Sequence, residues 1–163
     1  MAEKLTKLGT SINSVILTFS SVSDAEVHPV LLNFLKDLIQ TKMTDITDET
    51  KSYNLISMHI SSTSEPYKAH KPGGPHRSGK AVDISKINGK SITNFYDSDA
   101  EVSGIADALQ YKAIDDDRVW ENFGPLICLK TYSSKPLEIL PNSDKRKALI
   151  SLHKTHLHFS VLV

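Results

Sequence analysis

The stretch Thr155-His-Leu-His-Phe-Ser-Val-Leu-Val163 alternates apolar and polar residues with the period of a β-strand. Successive side chains of a strand point to opposite faces of its sheet, so one face of this strand joins the core. The core face carries the apolar residues Leu157, Phe159, Val161 and Val163. The other face carries His156, His158 and Ser160. Two imidazoles on one face, two residues apart, are close enough to share one small site.

A second predicted strand places a carboxylate on the same side of the sheet. Val82 and Ile84 face the core, which leaves Asp83 on the opposite face. His76 ends a loop rich in proline and glycine (residues 64–75), and Gly79 lets the chain turn sharply before the strand. His76, Asp83 and a strand histidine can therefore converge. Either segment alone also fits exposed or packed side chains, but together they indicate a metal site.

Zinc accepts imidazole nitrogen and carboxylate oxygen at about 2.0–2.2 Å. Three protein ligands with one open position are typical of a catalytic zinc, whereas a structural zinc has four protein ligands. The two segments therefore predict a catalytic zinc centre.

The remaining patterns predict an α+β fold. Strands are expected at 12–19 and 55–61, and Asn88-Gly89 predicts a hairpin that returns through residues 90–93. Helical spacing of apolar residues predicts helices at 27–42 and, after the capping box Ser98-Asp-Ala-Glu101, at 98–113. A short helix is also expected at 143–152. We expect a single domain, residues 1–163, built on a small antiparallel sheet. The helices are expected on one face of that sheet and the zinc site on the other.

Composition excludes several classes of partner. Nineteen basic residues balance nineteen acidic ones, which argues against nucleic acid or an anionic membrane surface as the partner. The single cysteine, Cys128, lies in an apolar segment and is expected to be a buried, inert thiol. The first residues lack the apolar run of a signal peptide, and no stretch approaches the roughly 20 apolar residues of a membrane span. We therefore expect synthesis as a soluble cytoplasmic protein.

The segment His76-x-x-Gly79-x-Ala81-x-Asp83-Ile84 resembles the signature of the zinc D-alanyl-D-alanine peptidases. Their superfamily includes the lysostaphin-type endopeptidases and the hedgehog signalling domains, and many members close the site with a His-x-His pair similar to His156-x-His158. The resemblance covers residues 27–159. It implies that His76, Asp83 and His158 are zinc ligands and that His156 is the catalytic histidine.

The sequence departs from that pattern at two places. Carboxypeptidase-like members carry an arginine after the strand that holds the terminal carboxylate of the substrate, whereas this chain has Ser61-Ser-Thr-Ser64. This difference favours an endopeptidase. Many members carry a glutamate as general base at the position of Thr155. Either His156 takes that task or a carboxylate comes from elsewhere, for which Glu121, beside Trp120, is the candidate.

Three further residues are candidates for binding substrate. Arg77 flanks the His76 segment, His59 lies on the polar face of its strand, and Tyr67 could form a wall of the groove. His153 is expected to be exposed to solvent.

The resemblance implies a zinc-dependent peptidase that hydrolyses stem or cross-bridge peptides of bacterial peptidoglycan. A bacteriophage endolysin or a virion-associated lysin, reaching the wall by holin-like release or as part of the virion, fits a wall hydrolase without a signal sequence. One alternative is a zinc-holding module of the same fold that binds the wall or a protein without cleaving it. Two others are a structural phage component with incidental histidines and a serine hydrolase, although no G-x-S-x-G elbow is present.

Overall fold

In the computed structural model of the chain, the alternating segment forms a strand at Leu157–Val161 inside the largest sheet. Its apolar residues Leu157, Phe159 and Val161 are buried, as the alternation predicts. The structure describes residues 4–20, 25–63, 74–132, 135–138 and 144–163. Tyr67, one of the predicted substrate contacts, lies outside these ranges.

The described residues form thirteen strands and four α-helices. The strands are β1 (Thr6–Lys7), β2 (Ser11–Ile12), β3 (Val15–Phe19), β4 (Glu26–Val27), β5 (Lys42–Thr44), β6 (Ser52–Asn54), β7 (Ser57–Ser62), β8 (Ala81–Ile87), β9 (Lys90–Ser91), β10 (Val119–Phe123), β11 (Cys128–Tyr132), β12 (Lys135–Glu138) and β13 (Leu157–Val161). The helices are α1 (Pro29–Leu38), α2 (Ile92–Phe95), α3 (Ala100–Lys112) and α4 (Asp144–His153), and a single 3₁₀ turn spans His76–Ser78.

The fold is mixed α+β, as predicted, but its main sheet is large. Nine strands belong to it, with the order β12-β11-β10-β13-β8-β7-β3-β2 and with β9 attached to β8. Neighbouring strands of this sheet are antiparallel except β3 and β7, which are parallel. Two smaller sheets pair β1 with β4 and β5 with β6. The predicted small antiparallel sheet therefore corresponds to the centre of a wider, mixed one.

Helices α1 and α3 cover the apolar face of the main sheet. Phe34 of α1 packs against Phe159 of β13 with their ring centroids 5.8 Å apart. The buried residues of α3 include Val102, Ile105 and Leu109, which belong to the same hydrophobic core. Burial of these side chains supplies the main driving force for holding the layers together.

Helix α4 departs from the predicted arrangement. It lies against β10 and β11, and its last residue, His153, packs on Phe123 with ring centroids 5.0 Å apart. Phe123 is the partner of His158 in the sheet, so it lies on the face opposite the core. One helix is therefore placed on the face that carries the predicted zinc site, and the prediction that all helices lie on the other face is wrong.

Two segments near the N-terminus are shorter than predicted. The expected strand 12–19 is a hairpin, because Asn13 and Ser14 adopt φ angles of 49° and 69° between β2 and β3. The expected helix 27–42 ends at Leu38, where Ile39 turns to an extended conformation. The last residues of the predicted helix enter β5, whose Met43 joins the core.

The turn at Asn88-Gly89 is confirmed, with φ angles of 50° and 78°, and it joins β8 to β9. The strand that follows ends at Ser91, since Ile92 begins α2. Helix α3 matches its predicted span closely. Its N-cap is Asp99, not Ser98, and the Asp99 carboxylate accepts hydrogen bonds from the first-turn amides. Cys128 is buried, as expected.

Candidate metal centre

Two neighbouring strands supply the centre of the site. His158 of β13 lies directly opposite Asp83 of β8, so their side chains emerge side by side on the face away from the core. The His158 Nδ1 and Asp83 Oδ1 atoms are 2.7 Å apart. Alternation along the two strands therefore brings this pair together as the sequence predicts.

The third group comes from the turn before β8. His76 opens the 3₁₀ turn, which ends at Gly79 with a φ angle of 69°. A Cβ at residue 79 would lie 2.8 Å from the Leu5 side chain and 3.0 Å from the amide nitrogen of His28, so the close approach also requires glycine. The turn brings His76 Nε2 to 3.4 Å from Asp83 Oδ1 and 3.3 Å from His158 Nδ1.

We call His76, Asp83 and His158 the metal triad. One ligand atom from each lies within 4.8 Å of the other two. Ligands about 2.1 Å from a tetrahedral zinc are roughly 3.4 Å from one another. The three separations, 2.7, 3.3 and 3.4 Å, are close to that value, so the donor set fits a zinc-sized ion after small side-chain movements. His76 and His158 are buried, and the triad could therefore hold a metal ion in a largely enclosed site.

Both histidines of the triad are held at their outer nitrogens. His76 Nδ1 lies 2.8 Å from the carbonyl oxygen of Thr63, which can only accept, so Nδ1 carries the proton. His158 Nε2 lies 3.1 Å from Glu121 Oε2. A metal ion that displaces the protons between these rings and Asp83 would therefore meet the lone pairs of His76 Nε2 and His158 Nδ1. Metal-binding histidines are characteristically fixed in this way.

The metal-free triad has strongly perturbed proton equilibria. Burial alone would raise the pKa of Asp83, but hydrogen bonds from His158 and His76 hold that pKa below its usual range. Burial alone would lower the pKa of His158, but hydrogen bonds to Asp83 and Glu121 raise it to about 9. At neutral pH, without metal, His158 is therefore a cation between two carboxylates.

Glu121 lies behind His158. A β-bulge between Val119 and Glu121 shifts the register of β10, so Val119 pairs with core residue Val161 while Glu121 pairs with Ser160 on the site face. Burial alone would raise the pKa of Glu121, but hydrogen bonds from His158 and Lys130 lower it to about 2. Its carboxylate lies at the Nε2 end of the His158 ring, whereas Asp83 and His76 lie at the Nδ1 end.

His156 lies on the edge of the same site. Its Nε2 is 3.8 Å from Asp83 Oδ1, and its Nδ1 is 2.9 Å from the hydroxyl oxygen of Thr155. Burial lowers the pKa of His156, so the ring is a neutral base at neutral pH. It is close enough to contact a group bound at the triad without belonging to it.

A fourth histidine in the cluster was not predicted. His153 is only 7% exposed, and its ring centroid lies 4.9 Å from that of His156 and 5.6 Å from that of His158. Its Nδ1 bonds to the Leu149 carbonyl, and burial lowers its pKa to about 4. The expectation that His153 is exposed is wrong, because α4 docks on the site face. Its position at the end of a helix with polar neighbours gave no signal of this.

The candidate substrate residues are dispersed. Arg77 is exposed, beside His76 in the turn. His59 lies on β7, with its Nδ1 2.8 Å from the Thr18 hydroxyl and its Nε2 2.8 Å from the Ser20 hydroxyl. Both ring nitrogens of His59 are thus engaged away from the triad.

Comparison of the chain with protein-family models, with curated proteins and with solved structures gave no match. None of the helices in the described part of the chain has the length and apolar character needed to span a membrane.

Proposed function

We propose that the chain is a zinc-dependent peptidase that hydrolyses peptide bonds of bacterial peptidoglycan, with a fold like that of the D-alanyl-D-alanine peptidases. The observation that carries the proposal is the metal triad, in which the outer nitrogen of each histidine has its own acceptor and the inner nitrogens and Asp83 face one another. Two imidazoles and one carboxylate leave room for a water or substrate ligand, as catalytic zinc sites require. The motif resemblance supplies the substrate class.

The residues around the triad suit peptide hydrolysis. A bound zinc ion would supply a Lewis acid and an acidified water at this site. His156 Nε2 faces the triad and is neutral, so it can accept a proton from a nucleophile or donate a hydrogen bond to a developing oxyanion. His153 packs against His156 and limits the movement of its ring.

We favour an endopeptidase over a carboxypeptidase. The sequence has Ser61-Ser-Thr-Ser64 at the place where the carboxypeptidases that the motif resembles carry an arginine. A site without that cation does not offer the bidentate contact that selects a terminal carboxylate. Cross-bridge or stem-peptide bonds within the wall then fit better than a terminal D-alanine. Delivery by a holin-like pore or as part of a phage particle would bring the enzyme to this substrate.

The test is a digest of purified peptidoglycan by the zinc-loaded protein, with and without chelator, read by mass spectrometry of the released fragments. New peptide termini that vanish with chelator and return with zinc are expected. Asp83→Asn should abolish them, whereas Asp97→Asn, the same change at an exposed aspartate of the described chain, should not. Cleavage that persists in chelator, or in Asp83→Asn, would contradict the metal mechanism.

A second candidate is a zinc-holding module that binds the wall without cleaving it. The position of Glu121 favours it, since this carboxylate faces the outer nitrogen of His158 and not the side on which a metal-bound water would lie. The same digest separates the two functions. Stoichiometric zinc and sedimentation with peptidoglycan, without release of new amino termini from several wall types, would support the binding module.

A further inference from the structure

Glu121 is a buried carboxylate that a three-ligand metal site does not itself require. It is 9% exposed and belongs to β10, the strand on the far side of β13 from Asp83. Its contact with the metal triad is with His158 Nε2, at 3.1 Å. Burying a carboxylate is costly unless it is paired and hydrogen-bonded, so this placement needs an explanation.

Both carboxylate oxygens of Glu121 are fixed. Oε1 accepts a hydrogen bond from Lys130 Nζ at 2.7 Å. Oε2 accepts one from the Ser160 hydroxyl at 3.1 Å, in addition to the His158 contact. The Lys130 ammonium also lies 4.7 Å from the centre of the Trp120 ring, which limits its movement. The carboxylate therefore has one available orientation, with Oε2 directed at the His158 ring.

We propose that Glu121 is a positioning residue that holds His158 in the tautomer and ring orientation needed to bind a metal through Nδ1. A carboxylate can only accept, so Glu121 keeps a proton on Nε2, and a metal ion that displaces the proton between His158 and Asp83 would find the lone pair on Nδ1. This role rests on the proposed zinc site. In this role Glu121 is not the general base, because it contacts His158 Nε2, whereas the metal would bind at Nδ1, on the other side of the ring.

Replacing the carboxylate by an amide should reveal this role. In Glu121→Gln one amide position must present N–H groups either to Lys130 or to His158, both of which are donors. With its N–H groups toward His158, the amide removes the acceptor of Nε2. With its N–H groups toward Lys130, it leaves His158 only an uncharged acceptor that has lost its Lys130 contact. Removal of such an outer partner typically weakens metal binding by about 10- to 100-fold. We expect a loss of zinc affinity in that range.

The experiment measures the zinc Kd of the full chain by competition with a chromogenic chelator, for the wild type, Glu121→Gln and Glu49→Gln. Glu49 is an exposed glutamate distant in sequence from Glu121, so Glu49→Gln is a control for the same chemical change. The visible absorption of the Co²⁺-loaded proteins reports ligand geometry. Circular dichroism and urea unfolding of the metal-free proteins report the fold.

A purely structural role would lower the stability of metal-free Glu121→Gln and leave the Kd and the Co²⁺ spectrum of its folded fraction as in the wild type. That result would overturn the inference. A weakened Kd with an altered spectrum, in a protein whose metal-free form still unfolds cooperatively, would support it. Glu49→Gln should match the wild type in every measurement.

Ser160→Ala keeps the inference testable if Glu121→Gln does not fold. It removes only the hydroxyl that orients Oε2 and retains the carboxylate. We expect a smaller loss of zinc affinity with a shifted Co²⁺ spectrum, and unchanged values would overturn the positioning role. If the wild type itself binds no zinc, the proposed metal site fails. If the wild type binds zinc and neither variant differs from it, only the role of Glu121 fails.

Discussion

Two strand histidines on the same face of the main sheet have opposite surroundings. His158 on β13 is buried and contacts carboxylates at both ring nitrogens. His59 on β7 is half-buried and contacts hydroxyls at both nitrogens, from Thr18 and Ser20. We call these three residues the His59 cluster. Burial and the charge of Lys86 lower the pKa of His59, whereas the pKa of His158 is raised.

This difference shows what makes an imidazole a candidate metal ligand. Hydroxyls leave the imidazole neutral but offer no anionic donor beside it. At His158, Asp83 and the incoming His76 add two more donors, and Glu121 fixes the outer nitrogen. The alternation of a strand can produce either environment, so the partners on neighbouring strands determine which one forms.

The largest expected contrast comes from removing each imidazole. His158→Ala leaves Asp83 and Glu121 as buried carboxylates without their shared cation, and breaking a buried pair in this way costs about 3–5 kcal/mol. His59→Ala loses hydrogen bonds to two exposed hydroxyls and should cost about 1 kcal/mol. Urea unfolding of the metal-free proteins at pH 7 measures both costs. Equal costs would show that the surroundings of His158 do not stabilise the fold more than those of His59.

The same two substitutions should also differ in their effect on zinc binding. His158→Ala is expected to abolish stoichiometric zinc, whereas His59→Ala should retain it, since His59 does not belong to the metal triad. Metal content after gel filtration, by elemental analysis, gives the answer directly.

The next contrast concerns the turn that adds His76 to the triad. Gly79 and Gly89 both have positive φ angles, but a Cβ at residue 89 would meet no atom within 4 Å, whereas one at residue 79 would meet Leu5 and His28. Gly89→Ala should cost about 1–2 kcal/mol from backbone strain alone. Gly79→Ala should cost more and should also weaken zinc binding. If the two variants bind zinc equally well, the close packing at residue 79 does not place His76.

A smaller effect is expected from pH. Because folding raises the pKa of His158, protonation of this residue stabilises the metal-free fold. The stabilisation is complete below the ordinary pKa of histidine and is lost as the pH rises through about 9. Asp83 and Glu121 have lowered pKa values, so their contributions are lost only as the pH falls through those values. Zinc bound at the triad would compete with the His158 proton.

The zinc affinity should therefore increase as the pH rises from about 6.5 to 9. Calorimetry at pH 7 in two buffers of different ionisation enthalpy should detect about one proton released per zinc bound. Zinc binding without proton release would mean that His158 is already neutral in the metal-free protein.

Much of this site could be predicted from local pattern. Strand alternation placed His158 and Asp83 on one face, and the Asn88-Gly89 turn fixed the end of β8. Glu121 is a candidate from the sequence, but its position at the outer nitrogen of His158 could not be predicted, because it depends on a one-residue bulge in β10 and on pairing with a strand almost 40 residues away. The burial of His153 depends on which sheet face α4 covers, and helical periodicity does not specify that face.

The smallest expected effect lies within the His59 cluster. Ser20→Ala removes the exposed hydroxyl that contacts His59 Nε2, and Thr18 still holds Nδ1. Because solvent can replace the lost partner, unfolding should become easier by less than about 1 kcal/mol, and the zinc Kd should not change. Titration of zinc into Ser20→Ala and wild type tests this. A changed Kd would mean that the His59 cluster and the metal triad are coupled across β7 and β8, so the contrast between the two histidines would then be one of degree within a single polar network.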